Sequence, residues 1–215
     1  MKVKRELIEA GQYLLRHQLA WGTSGNMSAR MDRERMLVTA SGTFMGNLAE
    51  GDFAEVEITT GVTRGSQKAS KETPMHRGIY QKREDVGAIV HASPFYTTLF
   101  SCSDLQIESA LFIETMYYLE NIAYVDYHHP GTQELGDAVA EQARGANIII
   151  MRNHGVVVCD DSVSEALMRL ETLELACRMI LQAKTAGVSL QRIPEHMVSS
   201  FLQEGKYKPR KRIGG

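Results

Sequence analysis

Two histidines each close an apolar run, His91 in "GAIVH" and His154 in "NIIIMRNH", and each is followed by a small residue, Ala92 or Gly155. Neutral imidazole is a common ligand for zinc and similar ions. An open catalytic site needs about three protein ligands plus an exchangeable position. Either histidine alone reads as a satisfied core residue; two in equivalent positions favour metal. The set is one ligand short, because Ser93 stands in "HAS" where another histidine would complete it, and a hydroxyl is a far poorer zinc ligand than imidazole. His128 and His129 in "YHHPGT" point in different directions if extended, so at most one of them could join, and both read as loop residues.

Three further stretches carry groups that a core does not need. In "GTSGN", residues 22–26, two glycines let the backbone approach a ligand, while Thr23, Ser24 and Asn26 add short hydrogen-bonding groups. In "TASG", residues 39–42, Ser41 and the Gly42 amide can serve the same anion at a strand end. In "ASKETPMH", Ser70 and Lys71 directly precede Glu72. The serine and lysine suit a phosphate, and the glutamate suits proton transfer where burial raises its pKa. His76, four residues on, faces the core or orients a neighbour.

The elements that must position these groups alternate along the chain. Residues 2–19 place Val3, Leu7, Ala10, Leu14 and His17 on one helical stripe. Segments 34–40 and 52–59 read as strands. A helix begins near Pro74, since proline suits a first turn, and runs to about residue 83. Residues 86–91 read as a buried strand, 94–103 as a helix, 122–126 as a strand and 132–144 as a helix. The segments "NIIIMR" and "VVVCD" read as strands joined by "NHG". The longest helix starts at "SVSE", where Ser162 and Glu165 have capping-box spacing, with Val163, Leu167, Leu170, Leu173, Cys177 and Ile180 on one face. Strands with intervening helices make this an α/β chain.

Composition narrows the function. At 215 residues and 43% hydrophobic, the chain can bury one sizeable core, and residues 1–215 read as one domain with a mobile tail from about 205. A net charge of −2, with no basic block beyond "KYKPRKR", gives no footprint for nucleic acid. Cys102, Cys159 and Cys177 are too few and scattered for a disulfide framework or a CxxC zinc site, which fits a reduced, cytoplasmic setting. No leader with a cleavage site and no long apolar run is apparent, so the chain reads as neither secreted nor membrane-spanning.

Taken in order, "GTSGNMS", "TASG", "SKE", "HAS" and "NHG" give a pattern that resembles the class II aldolase/adducin family, in particular its fuculose-1-phosphate aldolase and ribulose-5-phosphate 4-epimerase type. The resemblance runs from residue 3 to about 186. It implies a three-layer α/β/α fold with a central, mostly antiparallel sheet, and homotetramers with sites between subunits. Carried over by position, it implies that Thr23, Gly25, Asn26, Ser41, Gly42, Ser70 and Lys71 hold the substrate phosphate. Glu72 matches the catalytic acid/base, and His91 and His154 match two of three metal ligands. The implied cofactor is a divalent ion, zinc first. Ser93 leaves three outcomes open: Glu72 or a loop histidine completes the shell, the ion is a harder one such as manganese or magnesium, or metal binding has been lost. The implied reaction is aldol cleavage of a small phosphorylated ketose to dihydroxyacetone phosphate and an aldehyde. "SKE" also resembles sugar-acid phosphate decarboxylases, and a non-catalytic adducin-like assembly module is the reading from another class. Phe112 lies near where the aldolases place a tyrosine used in proton transfer, which leaves Tyr117, Tyr118 or, from an adjoining subunit, Tyr207 as substitutes.

Overall fold

The structure, a computed structural model, describes residues 2–209 and 213. The chain enters with α1 (Lys2–Arg16), whose buried stripe is Leu7, Ala10, Gly11 and Leu14. His17, placed on that stripe by its spacing, lies beyond the helix end and stacks on Tyr13 with ring centroids 4.1 Å apart. Four strands follow: β1 (Asn26–Arg30), β2 (Arg35–Thr39), β3 (Phe53–Glu57) and the short β4 (Thr63–Arg64). Then come α2 (Thr73–Lys82), β5 (Ala88–Ala92), α3 (Phe95–Ser101), α4 (Ile113–Tyr118), β6 (Ile122–Val125), α5 (Gln133–Gln142), β7 (Ile148–Met151), β8 (Gly155–Asp160), α6 (Val163–Ala186) and α7 (Glu195–Glu204).

All eight strands form one sheet in the order β4-β3-β2-β1-β5-β8-β7-β6. Every pairing is antiparallel except that of β6 with β7. Alternate residues of each strand serve opposite layers, as the two-residue pleat requires. Val90 and Val158 pack with α1, α3, α4 and α6. Ile89 and Val157 pack with α2 and α5. The fold is therefore three-layer α/β/α with a mostly antiparallel sheet, as the family resemblance implies.

Ser162 caps α6 as its spacing predicts, its side chain accepting from the Glu165 amide. β1 was not apparent from the sequence, because "NMSAR" lacks β-branched residues and reads as a continuation of the glycine turn. Short α4, edge strand β4 and α7 were also not apparent. The tail, expected to be a free end from about 205, is instead docked as far as Pro209. Lys208 Nζ donates to Tyr118 OH at 2.6 Å and Glu165 at 2.8 Å, and Tyr117 OH donates to the Pro209 carbonyl at 2.9 Å. Among the described residues no helix is long and apolar enough to cross a membrane.

Candidate active site

Antiparallel pairing brings the start of β1, the end of β5 and the start of β8 to the same end of the sheet. Asn26 lies opposite His91, and His91 opposite Val157. These three therefore share the face that α2 covers. Glu72 immediately precedes α2 and points back at them. Two glycines make the close packing feasible. A Cβ on Gly25, whose φ is +87°, would lie 2.5 Å from the His91 carbonyl oxygen, and one on Gly155 would lie 2.6 Å from that of Ala92.

At the centre, Glu72 Oε2 is 3.3 Å from His91 Nε2, and Glu72 Oε1 is 3.2 Å from His154 Nε2. One ligand atom from each of the three residues can be chosen so that all lie within 4.8 Å of one another. His91 Nδ1 donates to the Val156 carbonyl at 3.0 Å, which leaves its Nε2 as a bare acceptor facing a carboxylate in the neutral ring. Glu72 Oε1 and His154 Nδ1 are buried and lack a hydrogen-bond partner. Acceptors thus converge where only a cation or a proton would reconcile them. The donor set of two imidazoles and one carboxylate also occurs in catalytic zinc sites. The residues present fit a divalent ion, and Glu72 stands where it could offer the third ligand that Ser93 does not.

The electrostatics agree with that assignment. Burial alone would raise the Glu72 carboxyl, but the proximity of the His91 and His154 rings and the hydrogen bond from Asn26 outweigh it and hold it down to about 2. The rise expected for a shielded proton-transfer group is therefore not what this protein shows. Burial lowers His91, favouring the neutral ring that a metal needs.

Asn26, expected to hold phosphate, has its side chain committed elsewhere. Its Nδ2 donates to Glu72 Oε2 at 2.7 Å, and its Oδ1 meets His76 Nε2 at 2.5 Å. The other expected phosphate groups flank the same sheet end. Ala40 bridges Ala69, the Ser41 amide donates to the Lys68 carbonyl at 2.8 Å, and the Ser70 amide donates to that of Thr39 at 3.2 Å. Those two amides are used by the fold. Ser70 Oγ accepts from the Glu72 amide at 3.3 Å. Thr23, Ser41, Gly42 and Lys71 are exposed.

Ser93 Oγ donates to the His154 carbonyl at 3.2 Å, tying the two strand ends together. Among the described residues, neither His128 nor His129 belongs to the ligand cluster. His129 Nδ1 meets Tyr127 OH at 3.1 Å instead. Tyr117 and Tyr118 are packed in the opposite layer with the tail. Tyr207 stacks there on Tyr117 at 5.6 Å. Within one chain these tyrosines lie in the layer opposite the site. His76, expected to face the core or orient a neighbour, does both: it is fully buried and contacts Asn26, a register effect visible only once β1 is recognised.

Comparisons with known proteins place the chain in a family. The family model for the class II aldolase and adducin N-terminal domain matches residues 5–181. L-fuculose phosphate aldolase of Methanocaldococcus jannaschii is 32% identical over 83% of this chain and 95% of that protein. 3-Oxo-tetronate 4-phosphate decarboxylase of Haemophilus influenzae is 27% identical over 94% of this chain and 97% of that one. A solved L-fuculose 1-phosphate aldolase superposes with a TM-score of 0.84 at 28% identity, covering 95% of this chain and 96% of that one. The chain belongs to the class II aldolase and adducin family.

Proposed function

We propose that the protein is a metal-dependent carbon–carbon lyase that cleaves a small phosphorylated, fuculose-1-phosphate-like ketose to dihydroxyacetone phosphate and an aldehyde. The observation that carries this is the buried Glu72 carboxylate set between two histidine Nε2 atoms, with Oε1 lacking a hydrogen-bond partner. A divalent ion held by His91, His154 and Glu72, zinc first and manganese or magnesium as alternatives, would supply Lewis-acid stabilisation of the negative charge that develops on substrate oxygens. Glu72 would move the proton to or from carbon, since it is the carboxylate at the centre of the cluster. Thr23, Gly25, Ser41, Gly42, Ser70 and Lys71 would hold the substrate phosphate at the rim, and orienting the substrate this way lowers the barrier by several kcal/mol. Asn26 would serve the same site through Glu72.

Decarboxylation of a phosphorylated 3-oxo sugar acid is the second reading. It is favoured by Lys71, an exposed cation directly beside Glu72, and by the similarity to the Haemophilus influenzae decarboxylase. An adducin-like assembly module has no use for a carboxylate set between two histidines with a buried oxygen that lacks a hydrogen-bond partner. The family resemblance and the three free cysteines support a homotetramer working in the cytoplasm.

The test is a substrate panel with metal-loaded protein. Ketose 1-phosphates are followed by dihydroxyacetone phosphate release, and sugar-acid phosphates by carbon dioxide release. The proposal expects the first product with phosphorylated substrates only. Carbon dioxide alone would establish the second reading, and equal turnover of unphosphorylated sugars would remove the phosphate assignment.

A further inference from the structure

Behind Glu72 lies a run of polar residues that an apolar core would not need. Ser28 and His76 are 0% exposed, Tyr80 is 2% and Asn26 is 6%. Burying such groups costs free energy unless each finds a partner, and here each does. Tyr80 OH is 3.0 Å from Ser28 Oγ, Ser28 Oγ is 2.7 Å from His76 Nδ1, His76 Nε2 is 2.5 Å from Asn26 Oδ1, and Asn26 Nδ2 is 2.7 Å from Glu72 Oε2.

The direction of every bond follows from one end. An ionised carboxylate only accepts, so Asn26 must turn its amide nitrogen to Glu72 and its oxygen to His76. His76 Nε2 must then carry the proton, which makes Nδ1 the acceptor in the neutral ring. Ser28 must donate to Nδ1, and Tyr80 must donate to Ser28. At the far end the Arg30 guanidinium lies 4.6 Å from the Tyr80 ring centroid and donates to the Tyr80 carbonyl at 2.9 Å, which fixes that residue in turn. Elements β1 and α2 therefore meet through one fixed proton order.

We propose that His76 is a positioning residue for Glu72, acting through Asn26 within a one-way hydrogen-bond chain from Tyr80. The chain occupies Glu72 Oε2 and leaves Oε1 as the oxygen that works on the ion and the substrate. The second half of this rests on the metal-dependent reading of the site; the first half does not. Burial holds His76 at a pKa of about 3, so the ring stays neutral at working pH and the proton order is kept.

Two measurements separate these halves. In protein labelled with nitrogen-15 in histidine, the His76 signal, assigned by its loss in His76→Gln, should show Nε2 protonated and Nδ1 bare. The opposite tautomer overturns the chain. Zinc alone is then titrated into chelator-treated parent, His76→Leu and His76→Gln, with and without Glu72→Gln, alongside thermal midpoints. His76→Leu should weaken zinc binding by roughly 10- to 100-fold, as loss of an outer-shell partner typically does. His76→Gln keeps a donor and an acceptor and should recover most of the affinity. With Glu72→Gln in place, His76→Leu should change it less than about twofold, because coupled residues are not additive. An equal loss in both backgrounds, or no rescue by glutamine, makes His76 merely structural and overturns the proposal. Should His76→Leu not fold, Ser28→Ala replaces it with the same two outcomes. A parent that binds no zinc overturns the metal reading and the role of Oε1, while the tautomer still decides the chain.

Discussion

The two ends of β8 carry buried charge built to different rules. At the C-terminal end, Asp160 Oδ2 accepts from Arg169 Nη2 at 2.6 Å and Nε at 3.0 Å, with side chains 1% and 5% exposed. Asp160 Oδ1 accepts from the Asp161 amide at 2.8 Å, and Arg169 Nη1 donates to the Tyr118 carbonyl. Donors there meet acceptors. Beyond the N-terminal end, His154 joins His91 and Glu72 in a cluster that leaves two buried polar atoms without partners. Native interiors rarely leave such atoms unpaired. A buried cluster satisfied from within is architecture, whereas one that is not is shaped for something that arrives.

Substitutions at the two ends should separate along that line. Glu72→Gln keeps size and reach but removes the proton acceptor. Turnover should fall by roughly 10²–10⁴, while the thermal midpoint moves by under about 3 °C. Steady-state kinetics and melting of the same sample check this, and near-parental turnover would remove Glu72 from the mechanism. Asp160→Ala should do the reverse. Leaving Arg169 buried without its carboxylate costs about 3–5 kcal/mol, measured by denaturant unfolding, with zinc affinity of the folded protein unchanged. A stable Asp160→Ala protein would erase the contrast between the ends.

Ser93→His sharpens the comparison rather than breaking it. Adding an imidazole at the strand end should tighten zinc binding by about tenfold, roughly 1.4 kcal/mol, in direct titration. The bond from Ser93 Oγ to the His154 carbonyl is lost in exchange. If activity persists, the new ligand has released Glu72 for proton transfer; if it falls, Glu72 had to stay on the ion.

The smallest effect at neutral pH belongs to His76. Its folded pKa is pushed from 6.5 down to about 3 by burial. Between those values the unfolded chain binds the proton and the folded one does not. Stability therefore rises with pH across that window and is lost on acidification, by at most about 1.4 kcal/mol per pH unit. His76→Gln should show a shallower acid loss between pH 6.5 and 3 in chelator-treated samples. Superimposable profiles would contradict a neutral buried ring.

Much of this contrast is legible in the sequence. His91 and His154 announce themselves because each ends an apolar run, and in the structure both stand at one end of the sheet. Glu72 is legible from its place ahead of Pro74 at a helix start. The role of Asn26 is not. It depends on a strand without β-branched residues, and one residue of register decides whether its amide faces α2 or the opposite layer. Nor is it legible that Glu72 stands within 3.3 Å of His91 and 3.2 Å of His154, since the three lie on different elements. The tail escaped for a similar reason: a basic end looks solvated until Glu165 and Tyr118 are brought beneath Lys208.

The central claim is that Glu72, His91 and His154 together hold one divalent ion. Zinc titrated into chelator-treated protein, followed by calorimetry and metal analysis after desalting, tests it most directly. The account predicts about one ion per chain, bound at least tenfold more weakly after His91→Ala, His154→Ala or Glu72→Gln, and unaffected by Asp160→Asn. Binding that ignores the first three substitutions, or no retained ion in the parent, would contradict it.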